Sequence, residues 1–217
     1  MKMLRAVTLG LLCFVMMLSL AACGSKPIAY APERTGIFVD LDGIVKCAEI
    51  TDFSNAGFSE TRYREEELKK MIEELVAAYN TSVGASGVYN VEKAETLLPA
   101  AVEEVSVKKD RAKLILSFDG ADSFMNFIGG EYGVTGLSCT AVAGSSLPSN
   151  VAMSDASGKA VDAAKAFKKE KDRVVIITGE ALLTTAGKSA YLSAGATLVD
   201  PHTVQVSSEQ PVYIVYR

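Results

Sequence analysis

Two carboxylates, Asp40 and Asp42, are the residues whose type and spacing best suit chemistry, and they lie between the apolar run that ends at Val39 and Gly43. Paired acids of this kind are the groups that hydrolases use beside Mg²⁺. The same stretch also favours a β-hairpin turn, because Asp-Gly tolerates the left-handed backbone that such turns require. The residues alone therefore support two interpretations, a hydrolytic centre and a solvated turn.

Other catalytic motifs are incomplete. Residues 187–189 (Gly-Lys-Ser) suggest a phosphate loop, but that loop needs a further glycine at the position of Leu182. No Gly-x-Ser-x-Gly elbow occurs, so a serine nucleophile has no support. The single histidine, His202, closely follows Asp200 and is interpreted as part of a turn. The sequence therefore predicts no catalytic residue, no metal site and no cofactor.

The N-terminal segment decides where these side chains are placed in the cell. Lys2 and Arg5 are followed by no charged residue from position 6 to position 22, and the run ends in Leu-Ala-Ala-Cys at residues 20–23. A positive start, an apolar stretch and small residues before a cleavage point are typical of an export signal. The tetrapeptide Leu20-Ala21-Ala22-Cys23 resembles the lipobox of bacterial lipoproteins. That resemblance implies that Cys23 receives a diacylglyceryl group and becomes the first residue of the mature protein.

Two alternatives compete with this interpretation. A transmembrane anchor wants about 20 apolar residues, and this run is slightly short and ends in small ones. A signal peptide that is not lipidated leaves Cys23 unexplained. We therefore expect residues 1–22 to be a lipoprotein signal peptide and the lipid bilayer to be a partner through acyl chains, palmitate among them, on Cys23. The expected location is the extracytoplasmic face of the cell membrane.

The charge of the mature chain restricts its partners. Removing residues 1–22 leaves 20 basic and 26 acidic residues, a net charge of −6. Nucleic acid needs a clustered basic face, so we expect no nucleic-acid partner. The charge also gives no attraction to anionic lipid, so the acyl chains would have to hold the protein at the membrane. A protein or small-molecule partner stays possible and is not identified by the sequence.

Two further cysteines remain in the mature chain, Cys47 and Cys139, and both lie beside apolar residues. Export would permit a disulfide between them. Sequence spacing says nothing about the distance between two side chains, and a distant pair cannot close. A disulfide and two buried free thiols are both open.

We expect the chain after the signal peptide to consist of a lipidated tether at residues 23–35 and a single extracytoplasmic domain at residues 36–217. Two β-hairpins are predicted, one at residues 37–50 around the Asp-Gly turn and one at residues 102–118. A short helix is expected at residues 121–128 and a strand at residues 173–178.

The most regular pattern predicts a helix from about Arg64 to Tyr79. Its apolar residues recur every three or four positions and form a stripe that is expected to pack on a sheet. Asn80 is expected to end this helix. The residues of the stripe are Leu68, Met71, Ile72, Leu75, Val76 and Tyr79.

The second half of the chain is less regular. Residues 129–149 are rich in Gly and Ser, residues 161–171 suggest a helix, and short β-rich runs follow residue 178. Strand runs in pairs with a few helices favour an α+β fold. We therefore predict antiparallel hairpins that form a mostly antiparallel sheet, with one long amphipathic helix and one or two shorter helices.

Two family resemblances bear on function. The stretch from Val39 to Gly43 resembles the first motif of haloacid-dehalogenase-type phosphatases, which implies Asp40 as nucleophile and Asp42 as general acid–base near Mg²⁺. Ile44 departs from that motif, and no adjacent acidic pair follows Thr178 to hold the metal. The mature chain as a whole resembles lipoproteins of unknown function from Gram-positive bacteria, and that resemblance implies a location without an activity.

The expected function is therefore that of a membrane-anchored extracytoplasmic lipoprotein with a non-enzymatic binding or envelope-associated role. The alternative is an exported Mg²⁺-dependent phosphatase-like hydrolase that uses Asp40 and Asp42. The two differ in one structural respect: whether the two acids line a pocket with further acids or belong to a solvated turn.

Overall fold

The structure is a computed structural model that describes residues 27–52, 65–91, 96–108, 111–143 and 147–217. The predicted signal peptide and Cys23 lie outside the described residues, as does Arg64 at the predicted start of the long helix.

Eleven strands of the described chain form one large mixed sheet. The strands are β1 (Gly36–Val39), β2 (Val45–Asp52), β3 (Ala100–Lys108), β4 (Arg111–Phe118), β5 (Val134–Ala141), β6 (Met153–Asp155), β7 (Ala160–Val161), β8 (Arg173–Thr185), β9 (Ser189–Ser193), β10 (Ala196–Leu198) and β11 (Thr203–Tyr216). Three α-helices of the described part are α1 (Glu65–Ser82), α2 (Ala121–Phe127) and α3 (Ala163–Ala166), and a 3₁₀ turn spans Gly129–Tyr132.

The strands follow the order β3-β4-β2-β1-β8-β11-β9-β6-β7, with β10 paired to β11 and β5 paired to β8. The β1–β8 pair is parallel, and the other strand pairs of the described residues are antiparallel. The first half of β8 pairs with β5, and its last three residues pair with β1. The long β8–β11 pair is therefore the centre of the sheet.

A bend in the β8–β11 pair curls the sheet. Gly179 in β8 has φ of 125°, and a Cβ there would lie 2.1 Å from the carbonyl oxygen of Gly133, so only glycine fits. The β11 register shifts between Ser208 and Val212, close to the same level. The residues just beyond the end of β8 consequently meet the end of β11, where the Lys188 N–H donates to the Arg217 carbonyl at 2.8 Å.

The core lies on both faces of the curled sheet. Alternate residues of β8, including Val175, Ile177 and Leu183, point into the main core together with Val206 and Ile214 of β11. The opposite face carries a smaller cluster in which the intervening residues of these two strands meet α3 and the segment between β5 and β6. The fully buried members of that second cluster from the two long strands are Val174 and Val215.

The outer edge of β3 is closed by side chains of α1. Asn80 is fully buried, and its amide nitrogen donates to the carbonyls of Gly87 and Ala100 at 2.8 Å each. Its amide oxygen accepts the N–H of Ala100 at 3.0 Å. The carboxylate of Glu65 accepts the N–H of Val107 at 2.9 Å. Asn80 therefore lies inside the helix and satisfies strand groups, and the prediction that it ends the helix is wrong.

The predicted fold class is wrong, because the protein is mostly β and its sheet is mixed. The expected long amphipathic core helix is also wrong: of the residues of α1, Val76 and Asn80 are buried, whereas Met71 is 46% and Leu75 is 54% exposed. The apolar stripe of α1 is therefore wider than the part of the helix surface that the sheet covers.

Several boundaries also differ from expectation. The predicted helix at 161–171 is reduced to the four residues of α3, whose N-terminus is capped by Asp162. Two of the short β-rich runs expected after residue 178, at residues 203–206 and 212–216, form the single strand β11. Both predicted hairpins and the helix α2 are confirmed.

Candidate functional site

Asp40 is part of the turn between β1 and β2. Its carboxylate oxygen Oδ1 accepts the backbone N–H of Asp42 at 2.8 Å and that of Ile44 at 2.9 Å. The Asp40 carbonyl accepts the phenolic O–H of Tyr216 at 2.7 Å. Asp42 is exposed to solvent. The first acid of the pair is therefore engaged in holding a turn, as in an Asx turn.

The surroundings of this turn do not supply further metal ligands. Within the described ranges, no group of three or more His, Cys, Asp or Glu residues is arranged to hold a metal ion. The Gly-Lys-Ser stretch is likewise closed, because a Cβ on Gly187 would lie 2.5 Å from the backbone of Arg217. The N–H of Lys188 is also bonded to that backbone and is not directed at a ligand.

Cys47 on β2 and Cys139 on β5 are free thiols, and Cys47 is buried. Desolvation by burial raises the pKa of each thiol to about 12. The hydroxyl of Tyr132 acts against this shift at Cys47, and the charge of Asp40 adds to it at Cys139. The raised pKa leaves both sulfurs protonated at neutral pH, so neither has the thiolate character of a reactive cysteine.

A groove of about 260 Å³ lies between the N-terminal part of the domain and the central strands. One wall consists of residues 28–34. The other consists of residues at the start of β1 and near the end of β8, together with the turn at residues 200–203. The groove thus joins parts of the chain that are about 170 residues apart in sequence.

Backbone and ring contacts hold the 28–34 wall against the sheet. The N–H of Ile28 donates to the carbonyl of Ala186 at 3.0 Å. The Tyr30 ring stacks on Phe38 with 4.8 Å between centroids, and the Tyr30 hydroxyl donates to the carbonyl of Gly36 at 3.1 Å. This wall therefore has a defined position although it contains neither helix nor strand.

His202 contributes an oriented imidazole to the opposite wall. Its Nδ1 lies 3.0 Å from the carbonyl oxygen of Thr185. A carbonyl oxygen can only accept a hydrogen bond, so Nδ1 carries the proton, and in the neutral ring Nε2 is left as an acceptor. The backbone of His202 is held as well, because its carbonyl accepts the Thr185 N–H at 2.8 Å.

Asp200 fixes the turn that presents this imidazole. Its Oδ1 accepts the backbone N–H of His202 at 2.8 Å and of Thr203 at 2.9 Å. Desolvation acts to raise the pKa of Asp200, but the hydrogen bonds from these two residues outweigh it and lower the pKa below its ordinary value. Asp200 is consequently a carboxylate at neutral pH.

The basic side chains near the groove differ in their partners. Glu33 pairs with Arg111, whose Nη1 lies 3.4 Å from Oε2. Arg34 is exposed and forms no hydrogen bond or ion pair with another residue of the described part. The groove is therefore lined by the unpaired guanidinium of Arg34, by the carboxylates of Glu33 and Asp200, and by the imidazole of His202.

No protein-family model matches the chain, and neither a curated protein nor a solved structure matches it. Among the helices of the described ranges, none has the length and apolar character needed to cross a membrane. Any functional inference therefore rests on the residues and their geometry.

Sequence reasoning found the turns at Asp40 and at Asp200 but missed the groove. His202 was expected only as a turn residue, and residues 28–34 were expected only as part of a tether. The one signal in that segment is the aromatic Tyr30 among small and polar residues, which indicates a contact surface.

Proposed function

We propose that this protein is a lipid-anchored binding protein on the extracytoplasmic face of a bacterial cell membrane. The observation that carries the proposal is the tetrapeptide Leu20-Ala21-Ala22-Cys23 behind a charged start and an uncharged apolar run. Each buried CH₂ of an acyl chain contributes about 0.8 kcal/mol, and two or more chains hold a protein stably where one does not.

The groove supports a binding role. It is bordered by the residues that follow the proposed lipidation site, and it presents separate donor and acceptor groups beside apolar surface. The Asp40 carboxylate accepts two backbone N–H groups and thereby closes the hairpin turn between β1 and β2, a structural role that accounts for the residue without the alternative phosphatase. We therefore propose binding and not hydrolysis as the activity of the domain.

The test is expression of the full chain in a bacterial host, followed by membrane fractionation and metabolic labelling with an alkyne analogue of palmitate. The wild-type protein is expected in the membrane fraction with the label attached. Cys23→Ala is expected to lose the label and either to leave the membrane fraction or to remain unprocessed. Cys13→Ala is the matched control, because that cysteine lies within the proposed signal peptide and its loss should change neither result.

Labelled, processed Cys23→Ala protein that stays at the membrane would contradict the anchor. Unlabelled wild-type protein in the soluble fraction would do the same.

A further inference from the structure

We propose that the groove binds a small zwitterion, a free α-amino acid, with its carboxylate on Arg34 and its ammonium group on Asp200 and His202. This inference deepens the binding role proposed above and rests on it, but it does not depend on the lipid anchor.

The size of the groove sets the size of the ligand. Its volume of about 260 Å³ lies just below the usual range for ligand pockets, about 300–1,000 Å³. A molecule with the bulk of an amino acid fits such a space, whereas a nucleotide or a long peptide does not.

Arg34 supplies the anion-binding end. Its guanidinium is a planar set of donors that suits a carboxylate, and no carboxylate of the described residues occupies it. The nearest acid in sequence, Glu33, is taken by Arg111. A ligand carboxylate would therefore meet a cation that has no internal competitor in the described part of the chain.

Asp200 and His202 supply the cation-binding end. The Asp200 carboxylate accepts two backbone N–H groups and interacts with the Thr203 side chain, which leaves one of its roughly four lone-pair sites for an N–H of a ligand ammonium. Nε2 of His202 is a second acceptor, since Nδ1 donates to Thr185. Two acceptors, one of them charged, suit an ammonium group with its three donors better than a hydroxyl with one.

The remaining lining accommodates the ligand's side chain. Ile28 is 37% exposed and Leu182 is half-buried, so both present apolar surface to the groove. The hydroxyls of Thr184 and Thr203 lie 3.3 Å apart and bond to each other. The ligand's two charged groups are proposed to meet Arg34, Asp200 and His202, and the apolar part of the lining favours a small apolar or weakly polar side chain.

Titration calorimetry on the full-length protein in detergent micelles tests this proposal, with L-alanine, L-serine and L-leucine as probes. At least one is expected to bind. The amino acid that binds most tightly is then compared with two analogues: its amide, which lacks the carboxylate, and its deaminated acid, which lacks the ammonium group. Each analogue is expected to bind at least about tenfold more weakly, as the loss of one well-placed ionic contact predicts.

Arg34→Gln is expected to weaken amino-acid binding by about tenfold while leaving the affinity for the amide unchanged, because the amide has no carboxylate to lose. Arg34 is exposed, so this change should not disturb folding. Lys70→Gln removes a cation from an exposed position on α1 and is the matched control, with binding expected to be unchanged.

No binding of any of the three amino acids at millimolar concentration would overturn the proposal, as would equal affinity in Arg34→Gln and wild type. The intact mass of the same preparation reports acylation of Cys23. Acylated protein that binds no amino acid contradicts the ligand class alone, and unacylated protein that binds one contradicts the anchor alone.

Discussion

At the scale of single residues, aspartates with the same hydrogen bonds have different consequences. Asp40 and Asp200 each accept two backbone N–H groups through Oδ1 and thereby close a turn. Asp40 joins two hairpin strands. Asp200 sets the position of His202 beside the groove, so the surroundings of the turn and not its chemistry suit Asp200 to the proposed binding role.

The turns themselves could be predicted, since Asp-Gly and Asp-Pro carry a local signal. The groove could not, because Arg34 and His202 are brought together only by the curl of the central strands. A lone histidine carries no local signal for a partner that is so distant in sequence.

The buried thiols give a prediction at this scale. Desolvation by burial, with the charge of Asp40, raises the pKa of Cys139 from 9.0 to about 12. Above pH 9 the unfolded chain therefore releases a proton that the folded chain retains, and the free energy of unfolding falls as pH rises from about 9 towards 12. Cys139→Ala is expected to reduce this loss.

Urea denaturation at a series of alkaline pH values measures the effect in wild type and variant. Buried tyrosines such as Tyr216 contribute loss of the same sign, because burial also raises their pKa, so part of the slope should persist. An identical pH slope in Cys139→Ala and wild type would show that this thiol does not contribute.

At the scale of elements, local patterns and packing are different kinds of information. Both predicted hairpins form, because each needs only a turn and alternation within one short segment. The apolar run predicts a strand that ends at residue 178, but β8 continues to Thr185. A glycine followed by a charged residue, Gly179-Glu180, interrupts the apolar pattern, so the pattern gives no sign of this continuation. Its partners β1, β5 and β11 come from other parts of the chain. The sequence of one segment does not predict which strands will pair with it.

Helix α1 illustrates the same limit. The periodicity of its apolar residues fixes which of them share a side, but not how much of that side the sheet covers. Leu75 is 54% exposed and its neighbour Val76 is fully buried. The sequence pattern placed both of them in the core.

This neighbouring pair gives a prediction with an internal control. Val76→Ala should reduce the free energy of unfolding by about 2 kcal/mol, because it removes packed methyl groups from a closed core. Leu75→Ala removes a larger side chain but should change stability by no more than about 0.5 kcal/mol, because most of that side chain faces water. Chemical denaturation of the two variants under the same conditions measures the difference. A larger loss in Leu75→Ala than in Val76→Ala would contradict the observed orientation of α1.

At the scale of the whole molecule, the curled sheet brings the two ends of the domain to one place. The wall that begins at Ile28 bonds to Ala186, just beyond the end of β8. The groove therefore lies where the chain enters the domain, and the position of the proposed anchor bears directly on the position of the groove.

Chain length gives the last prediction. Ile28 follows Cys23 by five residues, and an extended chain spans at most about 3.6 Å per residue, so this wall cannot lie more than about 18 Å from an acylated Cys23. The net charge of −6 in the proposed mature chain gives no attraction to anionic lipid, so the tether alone should keep the groove at the bilayer. A fluorophore on Glu33→Cys, at the groove, should be quenched by lipids that carry a headgroup quencher when the acylated protein is in vesicles.

Inserting a flexible Gly-Ser segment of about 20 residues between Ser25 and Lys26 should reduce the quenching, since the mean reach of such a chain grows with the square root of its length. Equal quenching in the two proteins would mean that a surface of the domain, and not the short tether, holds the groove at the membrane.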